Sequence, residues 1–529
     1  MISKPDYHQT EEFQNRSRKL EELRELGLEP FPNLYKPTHL TNELQEKYGN
    51  GTQSSSEDAA AGTTDEAIVA GRLVLFRAMG KNAFGHIQDA TGRIQIMFNR
   101  DQTTIVGYDP ENSSVKEPPK PIKLIEKKVD LGDIIGIKGH LFHTQKGELT
   151  LFAKEVTFLC KTLLPLADKH SGLHDKELRY RKRWLDLISN DEIRENFRTR
   201  SRIIRLIRNF MEERRFIEVE TPILQSIYGG AEARPFTTEL HALHQEMFMR
   251  ISLEIPLKKL IVGGMDRVFE IGKVFRNEGI DRNHNPEFTL MEAYAAWWDY
   301  NDQMNFMEQL CEHLAMELHG KTTIPSTNPE TGEVIELDLK APWTRLSMKE
   351  SIKKYANRDV DALSDDDMRK ILIDSEEFDE RKIKTMPRGI LISSLFELEV
   401  EAQLIQPHHI IDFPIETTPL CKLHRDPKER EQGIVERFES FVLGGEMCNA
   451  YSELNDPELQ RKLLEGQAEK RDAGDEEANP FDEEFVEAIC QGMPPTAGIG
   501  IGIDRLIMLL TDNTYIRDVL LFPWMKPQS

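Results

Sequence analysis

The stretch KVFRNEGIDRNHNPEFTLMEAY, residues 273–294, reads as two strands joined by a polar and charged loop. Arg276 lies where the first strand is expected to end. Side chains two positions apart on a strand point to the same face of a sheet. One face of the second strand therefore carries an aromatic ring, a carboxylate and a phenol, which belong to Phe288, Glu292 and Tyr294. The stretch predicts a β-hairpin that presents these groups and an arginine to one small molecule.

A nucleotide with several phosphates fits the polar groups of this hairpin. Arg276 and His284 supply two cations for phosphate oxygens, and Phe288 supplies a ring on which a base can stack. Residues 498–505, GIGIGIDR, carry glycine at alternate positions, so that a flat ligand or another backbone can approach one strand face closely. Arg505 would then cover the other face of the base. Each motif alone has a simpler alternative. The hairpin could be a solvated surface hairpin, and the glycine strand could be a strand packed tightly against a neighbour.

Two acids are predicted to lie together across a second hairpin, ERFESFVLGGEMCNAYSELND, residues 436–456. Its Gly-Gly pair at 444–445 predicts a two-residue turn, which brings Glu439 close to Glu446. Two carboxylates that face a polyphosphate indicate a magnesium site, because Mg²⁺ prefers oxygen ligands. A pair of exposed, solvated acids is the alternative.

Strict alternation along the second strand of this hairpin would separate the acids from the polar side chains that follow. Asn449, Tyr451 and Glu453 share one face, whereas Glu446 falls on the other. A single site that uses all of them requires a β-bulge between Glu446 and Asn449. We therefore predict that bulge.

The composition is that of an ordinary globular protein. The 529 residues are 39% hydrophobic and 30% charged, which allows large cores, and the length predicts about three or four domains.

The net charge of −23 disfavours a general nucleic-acid binder, although arginine-rich patches occur at 15–24 and 176–208. No membrane helix or secretory signal is predicted. The five scattered cysteines argue against a disulfide framework and a structural zinc site, so the expected location is the cytoplasm.

The pattern of strands and helices predicts an α+β chain in four parts. Residues 1–65 predict an N-terminal helical extension and linker. Residues 66–160 contain about five short strands with glycine turns, which is typical of a small β-barrel. A basic linker is expected at 161–185. Strands and helices then mix over 186–529, with a mainly helical insertion at about 325–400.

Together these stretches resemble the class II aminoacyl-tRNA synthetases, and most closely the enzymes of that class that charge lysine. FIEVETPIL, around Pro222, looks like the first motif of the class, the hairpin FRNEG…HNPEF looks like the second, and GIGIGIDR looks like the third. Each motif alone is weak, whereas three in this order and spacing are specific. LRYRKRWLDL (178–187), YGGAEARPF (228–236) and YSELND are similar to segments of the lysine enzymes, so the resemblance covers nearly the whole chain.

The resemblance implies a fold, a reaction and partners. It implies an OB-fold anticodon-binding domain at 66–160 and a class II catalytic domain, an antiparallel sheet flanked by helices, at 186–529. It also implies a homodimer through the 194–222 segment. The substrates would be ATP, L-lysine and tRNA(Lys), with Mg²⁺ as cofactor.

Roles for single residues follow from the positions that match. Arg276 resembles a ligand of the α-phosphate, and with Arg505 it is the expected catalytic pair. Glu278 resembles a contact on the adenine side, and His284 resembles a ligand of the γ-phosphate. Phe288 and Arg505 resemble the two plates around adenine. The magnesium ligands are expected to be Glu439 and Glu446.

The remaining matches concern the amino acid and the anticodon. The lysine pocket is expected to consist of Gly230, Glu254, Glu292, Tyr294, Asn449, Tyr451 and Glu453. The barrel is expected to contact the anticodon by stacking bases on an aromatic ring and by polar contacts. Its candidate residues are Arg77, Phe84, Gln95 and Glu148.

Charge distinguishes lysine from the amino acids of related enzymes. Glu254, Glu292 and Glu453 give the expected pocket three carboxylates. Aspartate would be repelled there, whereas lysine brings two ammonium groups, and a buried charge without a partner is costly. The sequence therefore favours lysine. Three alternatives stay open: an aspartyl or asparaginyl enzyme, a protein-lysylating relative, and a non-catalytic RNA-binding or regulatory protein.

Overall fold

The chain folds into two compact units, Met1–Gly172 and Leu173–Ser529. The computed structural model describes, with gaps between them, residues 5–51, 54–111, 118–166 and 175–527. The predicted linker at 161–185 therefore lies partly outside the described residues. Within the described part of the chain, none of the helices combines the length and the apolar character that a membrane span needs.

The first unit contains a closed β-barrel, three helices that precede it in the chain and one that interrupts it. The helices are α1 (Glu11–Glu25), α2 (Thr41–Tyr48), α3 (Ser56–Ala61) and α4 (Pro121–Lys128). The strands are β1 (Glu66–Met79), β2 (Asn82–Gln88), β3 (Arg93–Asn99), β4 (Thr104–Ile105), β5 (Ile134–His143) and β6 (Leu149–Cys160).

The barrel is closed because the strands at the two ends of the sheet, β3 and β6, pair with each other. The order is β3-β2-β1-β5-β6, and β3 also pairs with β6 in parallel. Alternate residues such as Leu73, Ile96 and Ile137 point inward and are fully buried. At Gly139 a Cβ atom would lie 1.9 Å from the carbonyl oxygen of Phe152, so the strands approach closely there because glycine has no side chain. The predicted OB-type barrel is confirmed.

The second unit is larger and mixes both kinds of element. Its helices are α5 (Lys176–Arg181), α6 (Arg183–Ser189), α7 (Asp191–Glu213), α8 (Glu254–Val262), α9 (Tyr300–His319), α10 (Met348–Tyr355), α11 (Asp365–Asp374), α12 (Glu380–Thr385), α13 (Arg388–Glu399), α14 (Pro427–Glu431), α15 (Pro457–Asp472), α16 (Glu483–Cys490), α17 (Ile503–Leu510) and α18 (Ile516–Val519). Its strands are β7 (Ile217–Glu218), β8 (Leu224–Gln225), β9 (Thr237–Leu240), β10 (Gln245–Met249), β11 (Arg267–Phe275), β12 (Glu287–Ala296), β13 (Thr323–Thr327), β14 (Val334–Asp338), β15 (Thr344–Ser347), β16 (His408–Pro414), β17 (Ile434–Val442), β18 (Gly445–Ser452) and β19 (Thr496–Gly502).

An eight-stranded sheet organises the second unit, in the order β15-β16-β17-β18-β19-β12-β11-β7. Its inner pairs are antiparallel, and only the two outermost pairs are parallel. Helices α7, α9 and α17 pack with one core of apolar residues, which includes Met291 of β12. Helices α8, α13 and α16 pack with a second core, which includes Tyr294 of the same strand. The predicted antiparallel sheet flanked by helices is confirmed.

The predicted insertion at 325–400 is helical only in its later part. Helices α10 to α13 lie there, but the segment before them forms the β13–β14 hairpin and strand β15. Strand β15 pairs in parallel with β16, more than 60 residues later, and so belongs to the main sheet. The sequence did not indicate these strands because they are short and because β13 contains a proline, Pro325, which argues against a strand.

Candidate active site

A cavity of about 390 Å³ opens over the eight-stranded sheet. Strands β12, β17, β18 and β19 contribute to its floor and walls, together with the loop that follows β11. Every predicted nucleotide, metal and amino-acid residue lines this cavity except Glu453, which is buried beneath it. The structure therefore brings together in one place residues that lie up to 275 positions apart between Gly230 and Arg505.

The alternation of side chains along β12 turns the face predicted to bind the ligand towards the cavity. Phe288, Glu292 and Tyr294 line the cavity, while Met291 between them enters the core on the opposite face. Strand β19 lies beside β12, with Gly500 opposite Glu292 and Gly498 opposite Tyr294. The alternate glycines thus place no side chain of β19 beside these two residues.

Position 498 must be glycine because neighbouring side chains leave no room for a Cβ atom there. A Cβ atom at this position would lie 2.2 Å from Oε1 of Glu453 and 2.4 Å from the ring of Tyr294. At Gly500 the nearest atom would be Cγ of Glu292, at an ordinary contact distance of 3.7 Å. The two glycines therefore have different roles, although the sequence pattern treats them alike.

Cations and an aromatic ring cluster at the end of the cavity near the β11–β12 loop. The guanidinium of Arg276 lies 5.3 Å from the centroid of the Phe288 ring, and its Nε donates to the carbonyl of Ile251. Burial lowers the pKa of Arg276, while the neighbouring acid Glu278 opposes that shift. This arrangement places a positive charge and a ring side by side, as a nucleotide requires.

Arg505 connects this loop to strand β18. Its Nη1 donates to the carbonyl of Glu446 at 2.8 Å, and its Nη2 lies 3.0 Å from Nε2 of His284. Nδ1 of His284 lies 2.8 Å from Oδ2 of Asp281. These contacts fit a histidine that donates from Nδ1 to the aspartate and accepts at Nε2 from the arginine.

The turn between β17 and β18 differs from the prediction by one residue. Val442 pairs with Gly445, so Leu443 and Gly444 form the turn rather than the Gly-Gly pair. Both have positive φ angles, 56° and 70°. The sequence pattern pointed to two glycines because leucine adopts this conformation only at a steric cost.

The predicted bulge is confirmed. Ser440 pairs with Cys448 and Phe441 pairs with Glu446, which leaves Met447 as an extra residue in β18. This insertion rotates the strand so that Glu446 and Asn449 both line the cavity.

Several acids face one another near this hairpin. Burial, Glu446 and Glu401 together raise the pKa of Glu439 to about 7, although Arg437 donates to Glu439 at 2.6 Å. Burial and Glu446 raise the pKa of Glu401 to about 7 as well. Among the described residues no three side chains of metal-ligating type are arranged to hold an ion by themselves. A pair of carboxylates open to the cavity still suits an ion that takes its other oxygens from a substrate.

Arg437 was not predicted as a site residue. Its Nε donates to the side-chain oxygen of Asn449 at 3.1 Å while its Nη2 holds Glu439. The signal was available, because Arg437 and Glu439 are two positions apart on one strand and so share a face.

The amino-acid end of the cavity is built from carboxylates that accept hydrogen bonds. Oε1 of Glu292 accepts from the backbone N–H of Leu253 at 2.8 Å, and Oε2 accepts from the hydroxyl of Tyr294 at 2.9 Å. Tyr451 donates its hydroxyl to Oε2 of Glu254 at 2.6 Å. Burial and the negative charge of Glu254 raise the pKa of Glu292 to about 7.

Lys258 was not predicted as a site residue, although it lies at the centre of the acid cluster. Its ammonium group is fully buried and forms ion pairs with both Glu254 and Glu453. Burial lowers the pKa of Lys258, but these two carboxylates outweigh burial and hold it above its ordinary value. The spacing of Glu254 and Lys258, four residues apart on α8, is the signal that could have revealed the pair.

The four candidate anticodon residues also come together, on the barrel of the first unit. Arg77 pairs with Phe84 across β1 and β2. The side chain of Gln95 donates to Oε2 of Glu148 at 2.8 Å. His86, two positions after Phe84, lies opposite Gln95 and places Nε2 2.9 Å from Oε1 of Glu148. His86 is therefore a further member of this cluster, which was not predicted.

Each of the two units matches a known family model. Residues 175–526 match the family model described as tRNA synthetases class II (D, K and N). Residues 67–159 match the model described as OB-fold nucleic acid binding domain.

Individual relatives match along nearly the whole length. The chain is 55% identical over 527 residues to the lysine–tRNA ligase of Chlamydia caviae, which covers 99% of each protein. It is 43% identical over 516 residues to the lysine–tRNA ligase of Moorella thermoacetica, covering 97% of each. It is 44% identical over 508 residues to that of Methanoculleus marisnigri, covering 96% of this chain and 94% of the relative. The chain therefore belongs to the class II tRNA synthetases, in the family of the lysine–tRNA ligases, as its motifs predicted.

Proposed function

We propose that the protein activates L-lysine with ATP and transfers it to the 3′-terminal ribose of tRNA(Lys) for protein synthesis. The observation that carries the choice of amino acid is the charge at the buried end of the cavity. Three carboxyl groups and one cation, the ammonium of Lys258, lie there, and burial together with the neighbouring acid Glu254 raises the pKa of Glu292 to about 7 and that of Glu453 well above its ordinary value. Lysine brings two ammonium groups, whereas aspartate or asparagine would leave buried negative charge without a partner, at considerable cost.

Activation needs no side-chain base in this proposal. The carboxylate of lysine is already ionised and attacks the α-phosphorus of ATP in line, forming lysyl-adenylate while the bond to the bridging oxygen breaks and pyrophosphate leaves. Arg276 is placed to bind the α-phosphate and stabilise the charge that develops there. Phe288 and Arg505 hold the base, and His284 binds the terminal phosphate. Positioning of the two substrates supplies most of the rate enhancement.

Transfer to tRNA follows from the same arrangement. The terminal ribose hydroxyl attacks the carbonyl carbon of lysyl-adenylate, the bond between that carbon and the phosphate oxygen breaks, and AMP leaves. The hydroxyl proton passes to an oxygen of the departing phosphate. The protein then releases lysyl-tRNA and AMP.

A magnesium ion that enters with ATP is proposed to bind Glu439 and Glu446. The fit rests on their oxygen donors, on their position in the cavity wall and on the repulsion that raises the pKa of Glu439. When bound, such an ion neutralises phosphate charge and makes pyrophosphate a better leaving group.

A homodimer is proposed because apolar side chains are exposed in and beside the predicted interface at 194–222. Ile217 lies in this segment and Ile223 and Leu224 directly follow it, and they are 52%, 43% and 45% exposed. A group of exposed apolar side chains in one short stretch is typical of a surface that a partner covers. Sedimentation equilibrium is expected to give twice the chain mass, and a monomer at micromolar concentration would contradict the proposal. The cytoplasmic location stays a prediction.

The decisive experiment is ATP–pyrophosphate exchange with each amino acid in turn, followed by charging of tRNA(Lys). Lysine is expected to support exchange at least tenfold better than aspartate or asparagine, since one unpaired buried charge costs over 1.4 kcal/mol, which is about a factor of ten. Exchange with aspartate but not with lysine would refute the proposal. Exchange with lysine but no charging of tRNA would favour a protein-lysylating relative, and no exchange at all would favour a non-catalytic protein.

A further inference from the structure

A second cavity, of about 350 Å³, lies next to the candidate active site and shares two of its walls. Asp281 and Arg282 line the second cavity, while the next two residues of the same loop line the first. In the segment 515–517 the outer residues line the second cavity and the middle residue lines the first. The backbone N–H of Ile516 donates to the carbonyl of Arg282 at 2.9 Å, which joins the two walls. The cavities are thus neighbours separated by one layer of chain.

The second cavity presents cations that no acid neutralises. Lys176 and Arg517 form no ion pair with any residue that the structure describes, and Nε of Arg517 is buried there without a hydrogen-bond partner. Arg282 is paired with Glu330. Asp281 is the acid in the cavity lining, and its carboxylate is bonded to the ring of His284. Within the described part of the chain, Lys176 and Arg517 therefore remain as cations without an ion-pair partner, and one net positive charge is left when Asp281 and the Arg282–Glu330 pair are counted.

Aromatic rings stand beside these cations. The ammonium of Lys176 lies 5.0 Å from the centroid of the Tyr515 ring, and that ring is 42% exposed. Tyr180 supplies a second ring and donates its hydroxyl to Asp518 at 2.9 Å. The Tyr180 ring is buried, so Tyr515 is the open ring of this cavity. A cation beside an open aromatic ring is a combination with which proteins hold the phosphates and bases of unpaired nucleic-acid strands.

We propose that the second cavity binds a backbone phosphate of tRNA and the nucleotide next to it, close to the point where the strand enters the first cavity. This inference rests on the proposed function, because tRNA is then a polyanion whose 3′ end must reach the first cavity. Lys176 and Arg517 neutralise the phosphate, and the exposed ring of Tyr515 contacts the base or the ribose. A free nucleotide has the same chemistry, so the test must separate the two sources.

The test uses the full-length protein with Lys176→Gln and Arg517→Gln combined. The double variant is expected to raise the KM for tRNA(Lys) in aminoacylation about tenfold. The slope of log(kcat/KM) for tRNA against log salt concentration is expected to become shallower by about 0.7 to 0.9, because one phosphate contact is lost. The control is Lys182→Gln, which removes an exposed lysine just after α5 that lines neither cavity. It is expected to leave the KM and the salt slope near those of the unmodified protein.

Exchange of pyrophosphate without tRNA separates the possible sources of the phosphate. If the ligand is RNA, the double variant keeps its KM for ATP within twofold while its KM for tRNA rises. A raised KM for ATP with an unchanged KM for tRNA would overturn the assignment to RNA in favour of a free nucleotide. A KM for tRNA and a salt slope equal to those of Lys182→Gln would overturn the site itself. Absence of lysine-dependent exchange in the unmodified protein would instead refute the proposed function.

Discussion

At the scale of single residues, the ionisation of Glu292 is expected to control lysine binding. Its carboxylate attracts an ammonium group only when it is charged, and burial with Glu254 nearby raises its pKa to about 7. It is therefore mostly neutral at pH 6 and mostly charged at pH 8, a change of about tenfold in the charged fraction. The KM for lysine in exchange is expected to fall by about that factor from pH 6 to pH 8.

The variant Glu292→Gln isolates this group from the other acids of the cavity. It is expected to raise the KM for lysine at least tenfold at pH 8, to leave the KM for ATP within twofold, and to abolish the dependence on pH. An equal loss of lysine and ATP binding would mean that Glu292 only supports the fold. A lysine KM that still falls with pH in the variant would assign the titration to another group.

Lys258 carries a second prediction, because it holds two carboxylates of the pocket in place. Lys258→Met leaves Glu254 and Glu453 buried side by side without their cation, and removal of one partner from a buried ion pair costs about 3 to 5 kcal/mol. We expect a lower free energy of unfolding in urea and a KM for lysine raised at least tenfold, with the KM for ATP changed less than threefold.

Lys258→Arg keeps the positive charge and serves as the matched control. It is expected to recover much of the stability and of the lysine affinity, although the larger guanidinium fits the buried site less well. If the methionine variant binds lysine as tightly as the unmodified protein, the internal ammonium takes no part in setting the charge of the pocket.

At the scale of elements, the glycines of β19 are expected to differ in their tolerance of alanine. Gly498→Ala places a methyl group 2.2 Å from Glu453 and 2.4 Å from the ring of Tyr294. Overpacking of this kind typically costs about 1 to 3 kcal/mol and moves the side chains that bound the pocket. We expect a lower melting temperature and a KM for lysine raised at least tenfold.

Gly500→Ala is the matched comparison on the same strand. Its methyl group would make only ordinary contact, at 3.7 Å from Glu292. The melting temperature is expected to stay within about two degrees of the unmodified protein, as judged by calorimetry. Equal destabilisation by both substitutions would contradict the assignment of a special role to Gly498.

The elements that the sequence predicted well are those with local patterns. The alternation in β12 placed Phe288 and Glu292 on the cavity side, and the need to unite Glu446 with Asn449 identified the bulge. These inferences succeeded because a strand has a fixed period of two, so that one residue too many must appear as a bulge.

Features that depend on residues far apart in the chain were not predicted, or were predicted at the wrong position. Strand β15 has only four residues and is identified as part of the sheet by its pairing with β16. Leu443 takes a positive φ angle inside a turn whose register follows from the pairing of β17 with β18. The contact of Lys258 with Glu453 spans 195 positions, so the charge balance of the pocket could not be counted from the sequence.

At the scale of the whole molecule, the two units divide the proposed work between amino-acid activation and anticodon binding. The candidate active site lies entirely in the unit Leu173–Ser529, and the candidate anticodon cluster lies entirely in Met1–Gly172. A change confined to the barrel is therefore expected to affect the tRNA-dependent step and to spare the exchange reaction.

Phe84→Leu tests this division. The ring of Phe84 is proposed to stack on an anticodon base, and stacking on an aromatic ring contributes about 1 to 3 kcal/mol per base. Leucine keeps the apolar contacts that Phe84 makes beneath the barrel surface but offers no flat ring. The KM for tRNA(Lys) is expected to rise about tenfold or more in aminoacylation, while lysine-dependent exchange without tRNA keeps its kcat and its KM.

Phe31→Leu is the control for this experiment, because Phe31 is an exposed aromatic residue of the same unit outside the cluster. It is expected to change neither reaction by more than twofold. A KM for tRNA that is unchanged in Phe84→Leu would remove Phe84 from the anticodon contacts. Loss of exchange in a Phe84→Leu protein of normal melting temperature would show that the barrel also contributes to activation, contrary to the assignment of the two residue clusters to different units.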